Sequence, residues 1–209
     1  MTKLLRRVLM MLCFLPLMAN AESFQEGVHY ERLPQAVPTS NPAQVEVTEM
    51  FWYGCPHCYN LEPSIVPWSK ALPEGAYFVK TPAMFSAIWK THAQLYYAVN
   101  ALKLGEEVHA AIFDAYHQMG NQLDTPEKMA AFLKPYGISA EQFNSAFNSF
   151  GVKNQMQQAF AKARGYQIRG VPAIIVNGKY RVTGQTAGSN AKMLEVTSYL
   201  VERELKARQ

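Results

Sequence analysis

The sequence has very little cysteine. Three of its 209 residues are cysteines, and Cys13 lies in an N-terminal segment that reads as an export signal. So few thiols exclude a disulfide-stapled scaffold, which needs several cysteines in a much shorter chain. The remaining pair, Cys55 and Cys58, disfavours a zinc or structural module, because it is half a ligand set with no second ligand pair.

Long apolar runs are also scarce, and the one that occurs is at the N-terminus. Residues 1–21 combine a basic start, an apolar stretch from Val8 to Met18 and a small-residue site that ends at Ala21. This pattern is typical of a cleaved Sec-type secretory signal, whereas a membrane-spanning helix needs about 20 apolar residues. We therefore predict cleavage after Ala21 and export of the mature chain to an oxidising compartment.

The mature chain has almost no excess charge. Loss of the three basic residues in the signal takes Lys and Arg from 20 to 17 against 16 Asp and Glu, so the formal charge falls from +4 to +1. A nearly neutral chain offers no electrostatic case for binding nucleic acid. The hydrophobic fraction of 49% and the absence of low-complexity runs are typical of a globular enzyme or binding domain.

Strand patterns occur near both ends of the mature chain, and helix patterns fill the middle. Val45 to Tyr53 alternates between two faces and runs into the cysteine pair, and Tyr77 to Lys80 is a second short strand. An Asn-Gly pair at 177–178 between apolar runs predicts a hairpin, and Ser189 predicts the start of a terminal helix. Several glycines are the predicted helix stops in between: Gly105, Gly120, Gly137, Gly151 and Gly165.

This order of elements predicts an α/β protein with a thioredoxin-like fold and an inserted helical domain. Residues 22–85 and 153–209 would build the sheet-containing domain, and residues 86–152 would form the helical domain. Pro63 and Pro67 predict that the helix after the cysteine motif is kinked or ends early.

The cysteine pair is spaced for redox chemistry. A C-x-x-C pair at a strand-to-helix junction places the first sulfur at the helix N-terminus, where free N–H groups and the helix dipole favour a thiolate. We therefore predict Cys55 as the nucleophile and Cys58 as the resolving, disulfide-forming partner. Pro56 suits the first helical turn because it lacks an N–H, and the imidazole of His57 can stabilise the thiolate further.

Stabilisation of the thiolate sets the direction of the reaction. It lowers the free energy of the reduced protein, so the disulfide becomes the less stable form and is passed on to other thiols. The motif therefore predicts a dithiol oxidase. The alternative is a disulfide isomerase or reductant of the same fold, which the Pro-His dipeptide and the lack of an added dimerisation region disfavour. A purely structural disulfide would close too small a loop to add much stability.

Glu49 is a charged residue within an otherwise apolar pattern. It interrupts the apolar face of a central strand, where an unpaired carboxylate would be costly. Lys80 on the neighbouring strand is the expected partner, and Glu62 lies one helical turn beyond Cys58. The residues alone leave open whether this group only satisfies its own charges or also serves the cysteines. We assign no role to the other histidines, which have no ligand-like spacing: His29, His92, His109 and His117.

Two stretches of the chain carry a family resemblance. Residues 51–62 contain the CPHC motif with Phe51, Tyr59 and Glu62 around it, and residues 170–180 read GVPA followed by VNGKY. Together they resemble the DsbA family of periplasmic thiol:disulfide interchange proteins, over essentially the whole mature chain. The resemblance implies a monomeric periplasmic oxidase of newly exported proteins with free cysteines. It also implies a DsbB-like, quinone-linked membrane protein as reoxidant and no metal or cofactor.

The resemblance also implies roles for residues outside the motif. In this fold the matching proline is cis and faces the disulfide, which predicts a cis Val171–Pro172 bond and backbone pairing of a substrate segment at Val171. Glu49, Glu62 and Lys80 match a buried charged cluster that, in the family, is credited with moving protons to and from the second cysteine.

Overall fold

The computed structural model describes residues 24–209, so the predicted export signal lies outside the described residues. Within this range no helix is long and apolar enough to cross a membrane. A short 3₁₀ turn, Lys134–Tyr136, follows the fourth helix. The elements in chain order are β1 (Glu31–Arg32), β2 (Val45–Phe51), α1 (Pro56–Lys70), β3 (Ala76–Pro82), α2 (Ala87–Ala101), α3 (Gly105–His117), α4 (Pro126–Leu133), α5 (Ala140–Phe147), α6 (Phe150–Gly165), β4 (Ala173–Val176), β5 (Tyr180–Thr183), α7 (Gly184–Ala187) and α8 (Asn190–Lys206).

A mixed five-stranded sheet in the order β1-β5-β4-β2-β3 forms the centre of the molecule. β2 pairs in parallel with β3 and antiparallel with β4, and all seven of its residues are buried. The parallel pair requires a crossover, which α1 supplies. The register places Glu49 directly beside Lys80 of β3. Because side chains alternate along a strand, both carry their charges on the face that Val47 and Phe51 share.

The two faces of the sheet are covered by different helices. Val47 on one face packs with Ile65 of α1 and Leu200 of α8. On the other face Met50 packs with Ala163, near the end of α6. The predicted alternation of β2 is therefore confirmed, and the sheet lies between two helical layers.

The hairpin between β4 and β5 turns at the predicted residues. Asn177 and Gly178 have φ angles of 51° and 63°, as a two-residue type I′ turn requires. A Cβ on Gly178 would lie 1.9 Å from the carbonyl oxygen of Val37. Both the backbone conformation and the close approach of the neighbouring chain therefore demand glycine here.

The helices between β3 and β4 cover the end of the sheet at which α1 begins. Their core joins Phe51 of β2 to Leu95, Ile112 and Phe143. α6 packs on α2 near its start, through Val152, and on the sheet near its end. The predicted domain boundary at residue 153 thus falls inside a helix that contacts both parts, and the division into domains stays a prediction.

Several predicted element ends are wrong. α1 does not end early at Pro63 or Pro67, because both are exposed and water can bond the carbonyls that lose a donor, while the buried face of the helix stays packed. The alternative, a kink at these prolines, stays a prediction. Gly105 begins α3 instead of ending α2. Gly151 lies in the first turn of α6, because Ser149 caps that turn by accepting the N–H of the third helical residue. β2 ends at Phe51, two residues earlier than predicted.

Candidate active site

A tight turn carries the chain from β2 into α1 and sets the position of the first cysteine. The N–H of Cys55 donates to the carbonyl oxygen of Trp52 at 3.0 Å. Cys55 is the N-cap of α1, and Pro56 is its first residue, where a missing N–H removes no helical hydrogen bond. A Cβ on Gly54 would lie 2.4 Å from the Trp52 ring, so the turn has no room for a larger residue.

The two cysteines differ in their access to solvent. Both are free thiols in the structure. Cys58 is fully buried, whereas Cys55 keeps 7% of its surface exposed. The Sγ of Cys55 donates to the carbonyl oxygen of Val171 at 3.4 Å. Only Cys55 can therefore meet a thiol of another protein.

The surroundings of Cys55 favour its thiolate. A hydrogen bond from the Cys58 thiol makes the largest contribution, and together with smaller ones it lowers the pKa of Cys55 from 9.0 to about 6, against the effect of burial. The smaller contributions come from the backbone N–H groups of Cys58 and His57 and from the charge of the His57 side chain. The helix N-terminus therefore acts as predicted, but His57, which is exposed, contributes less than its neighbours do.

Cys58 is shifted in the opposite direction. Burial raises its pKa well above 9.0, and the neighbouring Cys55 and Glu49 raise it further. A thiol of this kind stays protonated at neutral pH. It needs a nearby proton acceptor before it can attack a disulfide, and a donor when it leaves one.

The segment that faces the cysteines contains a cis peptide bond between Val171 and Pro172, as the resemblance predicts. These two residues also line an open groove of about 910 Å³. His57 and Arg169 line the same groove. The exposed edge of the site is therefore a concave surface along which a segment of another protein can lie beside Cys55.

A buried charged cluster lies where β2 pairs with β3, on the face of β2 that carries Phe51. The Nζ of Lys80 donates to Oε2 of Glu49 at 2.9 Å and also bonds Oε1 of Glu62. The structure therefore brings together all three residues that sequence reasoning placed in this cluster, and Lys80 is the partner expected for Glu49.

The two carboxylates of this cluster differ in their ionisation. Burial raises the pKa of Glu49, although Lys80 opposes the increase, and the negative charges of Glu62 and Cys55 add to it. Burial also disfavours ionisation of Glu62, but His109 and Lys80 outweigh it and lower its pKa. Burial opposes the charge of Lys80 as well, but the carboxylates raise its pKa. Glu49 is therefore the group of the cluster best suited to exchange a proton.

Sequence reasoning missed three histidines of the inserted helices. Trp52 donates its indole N–H to His92 at 3.1 Å, the hydroxyl of Tyr53 lies 2.9 Å from Nδ1 of His109, and Nε2 of His117 lies 2.8 Å from the carbonyl oxygen of Tyr53. The spacing of His109 and His117, eight residues apart on α3, is a signal that could have revealed them, because it places both on one face of the helix.

These features together define a class of protein. A reactive, low-pKa thiol at a helix N-terminus, a buried partner thiol one turn further and an open groove beside them are the site of a thiol:disulfide oxidoreductase with a thioredoxin-like fold. Among residues 24–209 no group of three or more His, Cys, Asp or Glu could hold a metal ion.

Comparison with known proteins identifies the family. Residues 68–193 match the DSBA-like thioredoxin domain. The chain is 43% identical to the thiol:disulfide interchange protein DsbA of Pseudomonas aeruginosa PAO1, covering 98% of this chain and 97% of the relative. It is 48% identical to DsbA of Azotobacter vinelandii over 87% of this chain and 85% of the relative.

Solved structures agree. The crystal structure of Pseudomonas aeruginosa DsbA superposes with a TM-score of 0.86 at 44% identity, covering 90% of this chain and 98% of that one. The crystal structure of DsbA from Xylella fastidiosa superposes with a TM-score of 0.82 at 32% identity, covering 88% of this chain and 98% of that one. The chain belongs to the DsbA family of thiol:disulfide interchange proteins. The predicted fold class and the predicted enzyme class, a thiol:disulfide oxidoreductase, are confirmed.

Proposed function

We propose that this DsbA-family protein is a periplasmic dithiol oxidase that donates its Cys55–Cys58 disulfide to newly exported proteins with free cysteines. The observation that carries the proposal is the opposite shift of the two thiol pKa values, which makes Cys55 a stable thiolate and Cys58 a buried thiol. Such a pair favours the reduced form, and its disulfide is therefore a strong oxidant.

Donation proceeds in two exchanges. A substrate thiolate attacks the sulfur of Cys55, which breaks the Cys55–Cys58 bond and forms a mixed disulfide at Cys55. Cys58 leaves as a thiolate and takes up a proton. A second substrate thiolate then attacks the substrate sulfur of the mixed disulfide, and Cys55 leaves as its stable thiolate. The substrate gains one disulfide, and the enzyme is reduced by two electrons.

The residues around the pair assist these exchanges. The carbonyl oxygen of Val171 lies against the Cys55 sulfur, and Val171 and Pro172 line the groove, which supports backbone pairing of an extended substrate segment at this edge. Glu49 is the proton donor and acceptor for Cys58, because it is buried beside Lys80 and raises the pKa of that thiol.

Reoxidation requires a disulfide donor at the membrane. The Cys55 thiolate attacks the partner's disulfide, and Cys58 then displaces the partner's sulfur after giving up its proton. A DsbB-like, quinone-linked membrane protein is the reoxidant that family membership supports, and the enzyme works as a monomer without a metal or cofactor. Its export depends on the signal over residues 1–21, with cleavage after Ala21.

Equilibration with glutathione tests the direction of the reaction. The mature protein is incubated in buffers with graded ratios of oxidised to reduced glutathione, and the fraction of Cys55–Cys58 disulfide is read after acid quenching and alkylation. We expect a potential well above the roughly −270 mV of a thioredoxin. A Cys55→Ser variant gives the baseline without a disulfide. A potential near the thioredoxin value would contradict the proposal and favour the reductant alternative.

A further inference from the structure

The charges of the buried cluster do not balance. Glu49 and Glu62 are two carboxylates, and Lys80 is the one lysine between them. Oxygen Oε1 of Glu49 is buried and has no hydrogen-bond partner among the described residues. If both carboxylates were ionised, one negative charge would remain uncompensated in the interior, which is costly. The cluster therefore needs one more proton, which either Glu49 or a further basic group must hold.

His109 is placed to hold that proton. Its Nε2 lies 3.6 Å from Oε1 of Glu62, and that nitrogen is buried with no hydrogen bond among residues 24–209. Its Nδ1 lies 2.9 Å from the hydroxyl of Tyr53. A hydroxyl can donate to a neutral imidazole and accept from a protonated one, so the site accommodates both forms of the ring.

Charged and titratable groups face His109 from each neighbouring element. Burial lowers the pKa of His109, and Lys80 of β3 also opposes its protonation, whereas Glu62 of α1 and Glu106, on the same helix as His109, favour it. Tyr53 follows β2, and the ring of Tyr96 on α2 lies 5.7 Å from the imidazole between centroids. Lys80 is the only cation in this set, so the carboxylates around His109 are compatible with a second positive charge on its protonated ring.

We propose that His109 is the second proton site of the buried cluster and that one proton is shared between it and Glu49. When His109 holds the proton, Glu49 is a free carboxylate and can accept the proton of Cys58. When Glu49 holds it, the cluster can protonate the leaving Cys58 thiolate. His109 touches neither sulfur and acts through Glu62 and Lys80, so it is a positioning residue. Its kinetic role rests on the proposed function, whereas its coupling to Glu49 does not.

The coupling can be measured directly by titration of the His109 imidazole. Nuclear magnetic resonance follows its signals against pH in the reduced mature protein and in Glu49→Gln, with His109→Gln identifying the signals. Because Glu49→Gln removes one negative charge from the cluster, we expect the pKa of His109 to fall in that variant. Glu107→Gln removes the same charge from an exposed position of the same helix and is the matched control, with a smaller expected decrease.

Two results of this titration would overturn the proposal. One is an imidazole that titrates identically in wild type and in Glu49→Gln. The other is an equal decrease in Glu107→Gln, which would show that the ring responds to charge in general and not to the cluster. Neither result depends on whether the enzyme is an oxidase, so a low potential in glutathione would leave this test intact.

A kinetic measurement tests the consequence for Cys58. Reduced protein is mixed with oxidised glutathione, and the conversion of the Cys55–glutathione mixed disulfide to the Cys55–Cys58 disulfide is followed by quenching and mass spectrometry. In His109→Gln the proton must stay on Glu49 until higher pH, so we expect this step to be roughly fivefold slower near neutral pH. The deficit should disappear as pH rises, and the equilibrium potential should stay unchanged.

His29→Gln is the control for this measurement, because His29 lies in the N-terminal segment and accepts a hydrogen bond from the Gln25 backbone N–H instead of contacting the cluster. Its rate should match wild type at every pH. A His109→Gln rate equal to wild type would refute the kinetic role. So would a deficit independent of pH, because damage to packing would slow the step to the same degree throughout.

Discussion

At the scale of single residues, two thiols three positions apart have opposite acidities because their environments differ. Cys55 accepts hydrogen bonds at a helix N-terminus, whereas Cys58 is enclosed by apolar side chains beside a carboxylate. At pH 7, one unit above a pKa of about 6 and two below the ordinary value of 9.0, ionisation of Cys55 stabilises the reduced protein by about 1.4 kcal/mol, which raises the potential by about 30 mV. The few atoms around one sulfur therefore contribute to the direction of the reaction and have the sign expected for an oxidant.

The contributions to the Cys55 pKa can be separated by alkylation. The rate of Cys55 modification by iodoacetamide should titrate near pH 6 in wild type. Cys58→Ala removes the strongest hydrogen-bond donor, so we expect a clear increase of the Cys55 pKa. His57→Ala should give a smaller increase and a less oxidising potential. A larger effect from His57 than from Cys58 would contradict this ranking, and an unchanged potential would show that His57 is a bystander.

Glu46 lies on the face of β2 opposite Glu49, and its ionisation gives a prediction about the stability of the fold. Although burial opposes its ionisation, hydrogen bonds from Tyr77, the Ser40 backbone and Lys162 lower its pKa from 4.5 to about 2. The stabilisation is present above pH 4.5 and is lost as pH falls toward 2. We expect Glu46→Gln to lower the free energy of unfolding by up to about 3 kcal/mol at pH 7 and by much less near pH 2. Urea unfolding at both pH values measures this difference, and an equal loss at both would contradict it.

At the scale of secondary structure, local signals predicted the elements well and their ends less well. Asn177–Gly178 and the cap at Ser189 act within a few residues, so their sequence pattern is sufficient. The path of α1 through Pro63 depends on which side of the helix faces solvent, and that is decided by tertiary packing. The approach of His109 to Glu62 joins residues from two helices far apart in sequence, for which one sequence holds no signal of contact.

The hairpin turn provides a test at this scale. Gly178→Ala combines a left-handed backbone with a Cβ that meets the Val37 carbonyl, whereas Gly137 has φ of 81° and open space around its Cβ position. We expect Gly178→Ala to cost more than the roughly 1 kcal/mol of Gly137→Ala, because the N-terminal segment must move away. Thermal unfolding of both variants makes the comparison. Equal melting temperatures would show that the contact with Val37 carries no energy.

At the scale of the whole molecule, the inserted helices complete the redox site. α2 and α3 supply His92, His109 and His117, which bind the segment just before Cys55, and α3 also closes the buried cluster through Glu62. Thioredoxin-like order was readable from the sequence because strand and helix periods alternate along the chain. The function of the insertion was not readable, because it arises only when the insertion folds over the end of β2.

The stability of the molecule should therefore depend on the redox state of one bond. The pKa of Cys55 is lowered from 9.0 to about 6 on folding, so the thiolate stabilises the reduced fold fully above pH 9, and this contribution is lost as pH falls through 6. We expect reduced protein to unfold at higher guanidinium concentration than oxidised protein, with about 1.4 kcal/mol of the difference at pH 7 due to the thiolate. The difference in stability between the two redox forms should become smaller as pH falls from 8 to 5. Because the disulfide closes only a very small loop, its effect on the unfolded chain is among the smallest that a disulfide can have, and it does not vary with pH as the thiolate contribution does. Unfolding curves of both redox forms measure this difference in stability. The Cys55→Ser variant is the reference, because it can form neither the Cys55 thiolate nor the disulfide. An oxidised form more stable than the reduced one would mean that the bond is structural and that Cys55 does not give its disulfide away.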